Sequence, residues 1–98
     1  AARATPAGTA VPRGGDVLII GTGFAPRNEF CTPVRLRVDG RAATLSGQIS
    51  DSVGGWAMRL RATQAPGRHT VTLSQTCENG NTGRRTTVTA RAGLRILA

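Results

Sequence analysis

The stretch Val34-Arg35-Leu36-Arg37-Val38-Asp39-Gly40 alternates apolar and basic residues without a break and then ends on an Asp-Gly pair. Successive side chains of a strand point to opposite faces, so Val34, Leu36 and Val38 are expected to meet a core and Arg35 and Arg37 to meet water. Asp39-Gly40 reads as the turn of a hairpin, because both residues tolerate positive φ. The same period recurs downstream. Trp56, Met58 and Leu60 oppose Arg59 and Arg61, and Val71, Leu73 and Cys77 oppose Thr70, Thr72, Ser74 and Thr76. Val88, Ala90, Ala92, Leu94 and Ile96 oppose Thr87, Thr89, Arg91 and Arg95. Between the two turns at Asp39-Gly40 and Asp51–Gly55, the alternation places Ala43, Leu45, Gly47 and Ile49 on one face and Thr44, Ser46 and Gln48 on the other.

Upstream, Asp16 to Gly21 (DVLIIG) is a β-branched run followed by a loop from Phe24 to Thr32. Further turns are expected at Ala65-Pro66-Gly67 and from Glu78 to Gly83. No segment carries the 3.6-residue period of a helix. Six such strands, with a seventh expected at Thr9 to Pro12, predict an all-β, immunoglobulin-like antiparallel β-sandwich. Residues 1–12 (AARATPAGTAVP) lack either period and read as a linker or edge-strand tail, and residues 13–98 as the sandwich domain. Pro6 and Pro12 lack N–H donors, so any strand pairing of the tail is expected to lie between them.

The chain has 98 residues and a net charge of +8, and its thirteen basic residues are all arginine. That length holds one core. No apolar run approaches the roughly 18 residues that a spanning helix needs, so membrane insertion by a helix is not expected. One histidine and five acidic residues leave little material for catalysis, and neither an enzymatic activity nor a cofactor is expected. Cys31 and Cys77 are too few for a zinc site and too far apart for a redox pair. They are either a structural disulfide or two free thiols. In an immunoglobulin-like order the strand at Val34 and the strand at Val71 are antiparallel neighbours, which brings the start of the first beside the end of the second. A Cys31–Cys77 disulfide would tie a loop to that pole, and closing a loop of that length adds on the order of 4 kcal/mol in the chain-entropy model. It would also imply an oxidising compartment, hence a secreted or cell-surface protein. The Ala1-Ala2 start suits a mature terminus left by cleavage at a small-residue site.

Four stretches carry a family resemblance: Gly15 to Pro26 (GDVLIIGTGFAP), Val34 to Gly40, Asp51 to Trp56 (DSVGGW) and Pro66 to Leu73 (PGRHTVTL). Together they resemble the bacterial immunoglobulin-like modules of secreted and surface proteins, including the IPT/TIG-like group, over about residues 13 to 98. The resemblance implies the sandwich fold, with Val17 and Ile19 facing the core and Leu18 and Ile20 facing away. Such signatures speak to architecture more than to activity. A more distant similarity is to enediyne-binding chromoproteins of the neocarzinostatin type, which would imply a small-ligand carrier. This chain differs from them in its basic charge and in lacking a second disulfide.

Among candidate sites, Gly21-Thr22-Gly23 has the glycines of a phosphate loop but no helix to follow, and reads as a β-corner. His69 lacks an identifiable nucleophile, and Asp51 with Ser52 offers too few oxygens for calcium. The arginines are more informative. Arg35, Arg37, Arg91 and Arg95 are expected on the outer face of one sheet around a Thr/Ser stripe, chemistry suited to anionic polymers and read without sequence specificity. Leu18 and Ile20, apolar and outward, are expected to contact the tail, a neighbouring domain or an identical subunit. The expected function is a non-enzymatic module of a secreted or surface protein, acting as a spacer, adhesive or assembly (filament) unit. The alternatives are a binder of anionic polymers through the arginine face and a small-ligand carrier.

Overall fold

A computed structural model describes residues 2–8, 10–26, 30–51 and 54–98. The described residues form nine strands and no helix. In chain order the strands are β1 (Arg3–Pro6), β2 (Ala10–Pro12), β3 (Asp16–Thr22), β4 (Arg35–Val38), β5 (Arg41–Ala42), β6 (Leu45–Ser50), β7 (Trp56–Arg61), β8 (Gly67–Glu78) and β9 (Arg85–Leu97). They make a four-stranded sheet in the order β1-β3-β7-β6 and a five-stranded sheet in the order β2-β9-β8-β4-β5. Strands β1 to β4 alternate between the sheets, whereas β4 and β5, β6 and β7, and β8 and β9 are antiparallel neighbours within one sheet, and the core lies between the two inner faces. Val17, Ile19, Met58 and Leu60 of the first sheet face Leu36, Val71, Leu73, Leu94 and Ile96 of the second, all buried.

The tail is built into both sheets. β1 pairs antiparallel with β3, from Arg3 opposite Thr22 to Pro6 opposite Ile19, and β2 pairs with β9 in parallel. Pairing is therefore not confined between the two prolines. Each proline closes a strand, where a missing N–H costs no further ladder bond. The second residue of β2, Val11, is buried in the core. The parallel pairing arises because the chain keeps its direction while crossing from one sheet to the other. It is the one departure from an otherwise antiparallel sandwich among the described pairings.

Strand β6 also departs from the expected alternation. Leu45 opposes Leu60 and Gly47 opposes Arg59, so Ser46 is an extra residue and the ladder bulges there. Beyond the bulge the expected parity inverts. Leu45 packs on the core, but Gly47 and Ile49 face outward, and Ile49 is 72% exposed. Gln48 takes the core-side parity opposite Met58 instead, at the exposed margin of the sheet, and its Nε2 donates to the Val34 carbonyl just ahead of β4.

The Cys31–Cys77 disulfide is formed, and its residues make an isolated antiparallel bridge at one pole. Beside it Gln75, only 2% exposed, holds the loop that follows β3. Its Oε1 accepts from the Ala25 N–H at 2.7 Å, and its Nε2 donates to the Ala25 carbonyl at 2.8 Å and to the Thr32 carbonyl at 3.0 Å. Trp56 Nε1 donates to the same Ala25 carbonyl at 2.9 Å. Gly54, with φ 86°, closes the pole: a Cβ there would lie 1.8 Å from the Phe24 carbonyl oxygen. At the opposite pole Asp39 (φ 52°) and Gly40 (φ 79°) make the expected two-residue turn between β4 and β5.

The Asp39 carboxylate clamps that turn to β8. Asp39 Oδ1 accepts from the Thr70 N–H at 2.9 Å and Oδ2 meets His69 Nδ1, while His69 Nε2 meets the Ala65 carbonyl at 2.7 Å. Both ring nitrogens face acceptors, so only the protonated imidazole satisfies them together. The hydrogen bond to Asp39, and then that to Ala65, hold the His69 pKa above its ordinary value near 6.5. The Thr70 N–H, and then His69, hold the Asp39 pKa below 3.8.

Three outcomes are expected. Gln75→Leu keeps the volume but strands the Ala25 N–H and the Thr32 carbonyl, and should cost about 2–4 kcal/mol in chemical denaturation. Stability should be fully supported by the clamp between Asp39's unfolded value and that of His69, fall as pH rises through the raised His69 pKa, and fall on the acid side as pH drops through the lowered Asp39 pKa. Denaturation midpoints followed across pH should lose the upper decline in His69→Ala. Deleting residues 1–12 removes Val11 and uncovers β3 and β9. It should lower stability by about 2–4 kcal/mol and increase self-association in light scattering. A tail acting as a donor strand between copies would give the opposite change in association.

Candidate anion-binding face

Period-two alternation along β8 and β9 carries the core on one side and a continuous polar face on the other. The twelve-pair ladder runs from Gly67 opposite Ile96 to Glu78 opposite Arg85. Outward residues of β8 are Arg68, Thr70, Thr72, Ser74 and Thr76, and across from them on β9 lie Arg95, Gly93, Arg91, Thr89 and Thr87. On the other flank β4 places Arg35 opposite Ser74 and Arg37 opposite Thr72. One row thus reads Arg91–Thr72–Arg37, the next Thr89–Ser74–Arg35. Outward residues recur about every 7 Å along a strand, and neighbouring strands lie about 4.8 Å apart, so the guanidinium groups flank a narrow hydroxyl stripe within reach of one extended polymer.

All five arginines of this face, Arg35, Arg37, Arg68, Arg91 and Arg95, are exposed. The two ion pairs among the described residues, Arg61–Asp16 at 3.5 Å and His69–Asp39, involve none of them. The carboxylate nearest these rows is Asp39, which follows β4 opposite Thr70 and is bound to the Thr70 N–H and to His69; Glu78 enters only at the disulfide end, opposite Arg85. Thr76 and Thr87 share a hydrogen bond of 3.0 Å across the stripe. Like charges gathered on one face repel each other, and the stable core beneath is what holds them there.

The structure brings together Arg35, Arg37, Arg91 and Arg95 on this face and adds Arg68, which shares the outward parity of Thr70 and Thr72. That parity runs one step past the turn at Pro66-Gly67, so it was legible in the sequence. Phe30, 51% exposed, lines a groove at the disulfide end with Thr32, Thr76, Glu78 and Arg85. Phe24 and Trp56 are buried.

Leu18 and Ile20 lie on the other outer face, that of the four-stranded sheet, at 37% and 39% exposure. The tail runs beside them in β1 and does not cover them. Ile20 opposes Ala57, which opposes Ile49, so the bulge in β6 extends the apolar patch to a third large residue. His69 is held by Asp39 and Ala65, and Asp51 accepts from the Gly55 N–H at 2.7 Å. Ser52 lies outside the described residues. No group of His, Cys, Asp and Glu suited to a metal occurs among the described residues. Gly21 ends inside β3 and Gly23 turns the chain at φ 78° into buried Phe24, the arrangement of a strand corner. The two outer faces therefore differ: the five-stranded sheet gathers five arginines around hydroxyls, whereas the four-stranded sheet carries the apolar cluster of Leu18, Ile20 and Ile49 with Arg59 opposite Leu18. No family model, no curated protein and no solved structure matches this chain.

Proposed function

We propose that this chain is a non-enzymatic, immunoglobulin-like module of a secreted or cell-surface bacterial protein, and that the arginine face of its five-stranded sheet binds anionic polymers. The observation that carries the reading is the set of Arg35, Arg37, Arg68, Arg91 and Arg95 around a Thr/Ser stripe, none of them in an ion pair among the described residues. Guanidinium groups present forked N–H donors that match phosphate, sulfate and carboxylate oxygens, and threonine hydroxyls add donors between them. The face has no aromatic side chain between Arg68 and Thr76 on which bases or sugar rings would stack. Recognition is then of charge density. The disulfide supports an exported setting, since such bonds persist in oxidising compartments.

A second use of the same module, contact with a neighbouring domain or an identical subunit, is supported by the apolar row Ile20–Ala57–Ile49 on the opposite face. The two uses are compatible, because they occupy different sheets.

Fluorescence anisotropy with polyphosphate and with DNA of arbitrary sequence, across a salt series, tests the main reading. Affinity should fall steeply with salt and be indifferent to base sequence, and Arg35→Gln/Arg37→Gln/Arg91→Gln should flatten the logarithmic salt slope by about 2–3. Retention of affinity at high salt, or an unchanged slope in the triple variant, would count against this face as the binding surface.

A further inference from the structure

We propose that Arg68 and Arg95, with the notch left by Gly93, form a site for a phosphate monoester group carried by the polymer. The inference rests on the reading of the arginine face and narrows it to one group and one place. Arg68 and Arg95 are direct cross-strand partners at the end of the face away from the disulfide, and Ala10 of β2 continues their row. Together with His69, Gly93 and Leu94 these three residues line a groove of about 380 Å3. Two like charges placed opposite each other in a ladder are unfavourable unless something neutralises them. Neither is in an ion pair among the described residues. Asp39, the carboxylate nearest in the fold to His69, is already bound to that ring and to the Thr70 N–H.

Gly93 gives the groove its floor. It sits opposite Thr70, one outward step from Arg95, and a Cβ built on it would meet nothing within 4 Å. The space above it is open, flanked by guanidinium groups and next to a hydroxyl. Both ring nitrogens of His69 are occupied, so the groove's side-chain donors are the two arginines. Two fixed positive charges are balanced by a group carrying two negative ones. A phosphate monoester carries nearly that charge at neutral pH and presents three terminal oxygens to the paired guanidinium forks. A phosphodiester or a sulfate ester brings a single charge, and a diester only two free oxygens. The charge balance therefore selects a monoester, such as a chain end or a phosphorylated branch of the polymer.

Titration of the 15N-labelled, disulfide-bonded protein with methyl phosphate, methyl sulfate, dimethyl phosphate and inorganic phosphate, at about pH 8 where the monoester is fully dianionic, tests this by amide shifts. Methyl phosphate should move the signals of Arg68, Gly93 and Arg95 saturably and bind about tenfold or more tightly than either monoanion. Binding should be lost in Arg68→Gln and in Arg95→Gln. Gly93→Val keeps both charges and places its Cβ in open space, so a folded spectrum with weakened binding would tie the effect to the notch. Equal affinity for methyl sulfate and methyl phosphate would overturn the proposal, as would shifts spread evenly along the stripe to Arg35 and Arg37. Binding of inorganic phosphate without methyl phosphate would also overturn it, since the ester is then not accommodated. Arg35→Gln/Arg37→Gln serves as the control: it should lower polymer affinity and leave methyl phosphate binding unchanged. If polymers bind the wild type but the monoester shows no preference, this site falls and the broader reading stands. Methyl phosphate binding at the notch without any polymer retention supports the site and removes the polymer as its source.

Discussion

The long ladder between β8 and β9 is the constraint on which the other features depend. Its inner side supplies Val71, Leu73, Leu94 and Ile96 to the core, and its outer side supplies Arg68, Arg91 and Arg95 together with the hydroxyl stripe. The same strand pair carries Cys77, Gln75 and His69, through which each pole is fastened. Apolar burial of roughly 25 cal/mol per Å2 on one side is what makes the crowded positive charge on the other tolerable. A sheet of this kind separates stability from recognition, because the two sets of side chains point in opposite directions and can change independently.

The disulfide pole shows how a small core accommodates polar matter. The chain leaves β3 at Thr22 and must cross to the other sheet to begin β4, and a crossing loop leaves backbone groups without ladder partners. Gln75 and Trp56 supply those partners at Ala25 and Thr32, and the disulfide fixes Cys31 beside Cys77. Gln48 does a similar service for the Val34 carbonyl at the margin of the sandwich. In each case a side-chain N–H or amide replaces a missing strand neighbour.

The margins of the sheets and the two outer faces are treated differently. The tail pairs with one edge of each sheet, so β3 and β9 are covered, whereas β5 is only two residues long and β6 is interrupted by a bulge. Short or bulged edges resist uncontrolled pairing with other chains. The bulge has a second effect, turning Ile49 outward beside Ala57 and Ile20 and enlarging the apolar patch. The module thus presents a cationic surface on one side and, on the other, an apolar cluster bordered by Arg59, with a core between them.

The period of two along Val34–Val38, Trp56–Arg61 and β8–β9 was readable in the sequence because it is local: each side chain's face follows from its neighbours alone. Asp39-Gly40 was readable for the same reason, and the meeting of Cys31 with Cys77 followed from strand order. Arg68 and Gln75 also obeyed the visible parity. Gln75 sat between Leu73 and Cys77 on the inward positions, and a polar residue there marks a buried hydrogen-bonding demand. Tertiary structure decided the rest. The division of the tail between two sheets, the slip at Ser46 that inverts Gln48 and Ile49, and the opposition of Arg68 to Arg95 all depend on register between strands distant in sequence. Register is set by which partner edge is free and how the cores interlock, and no periodicity within a single strand records it.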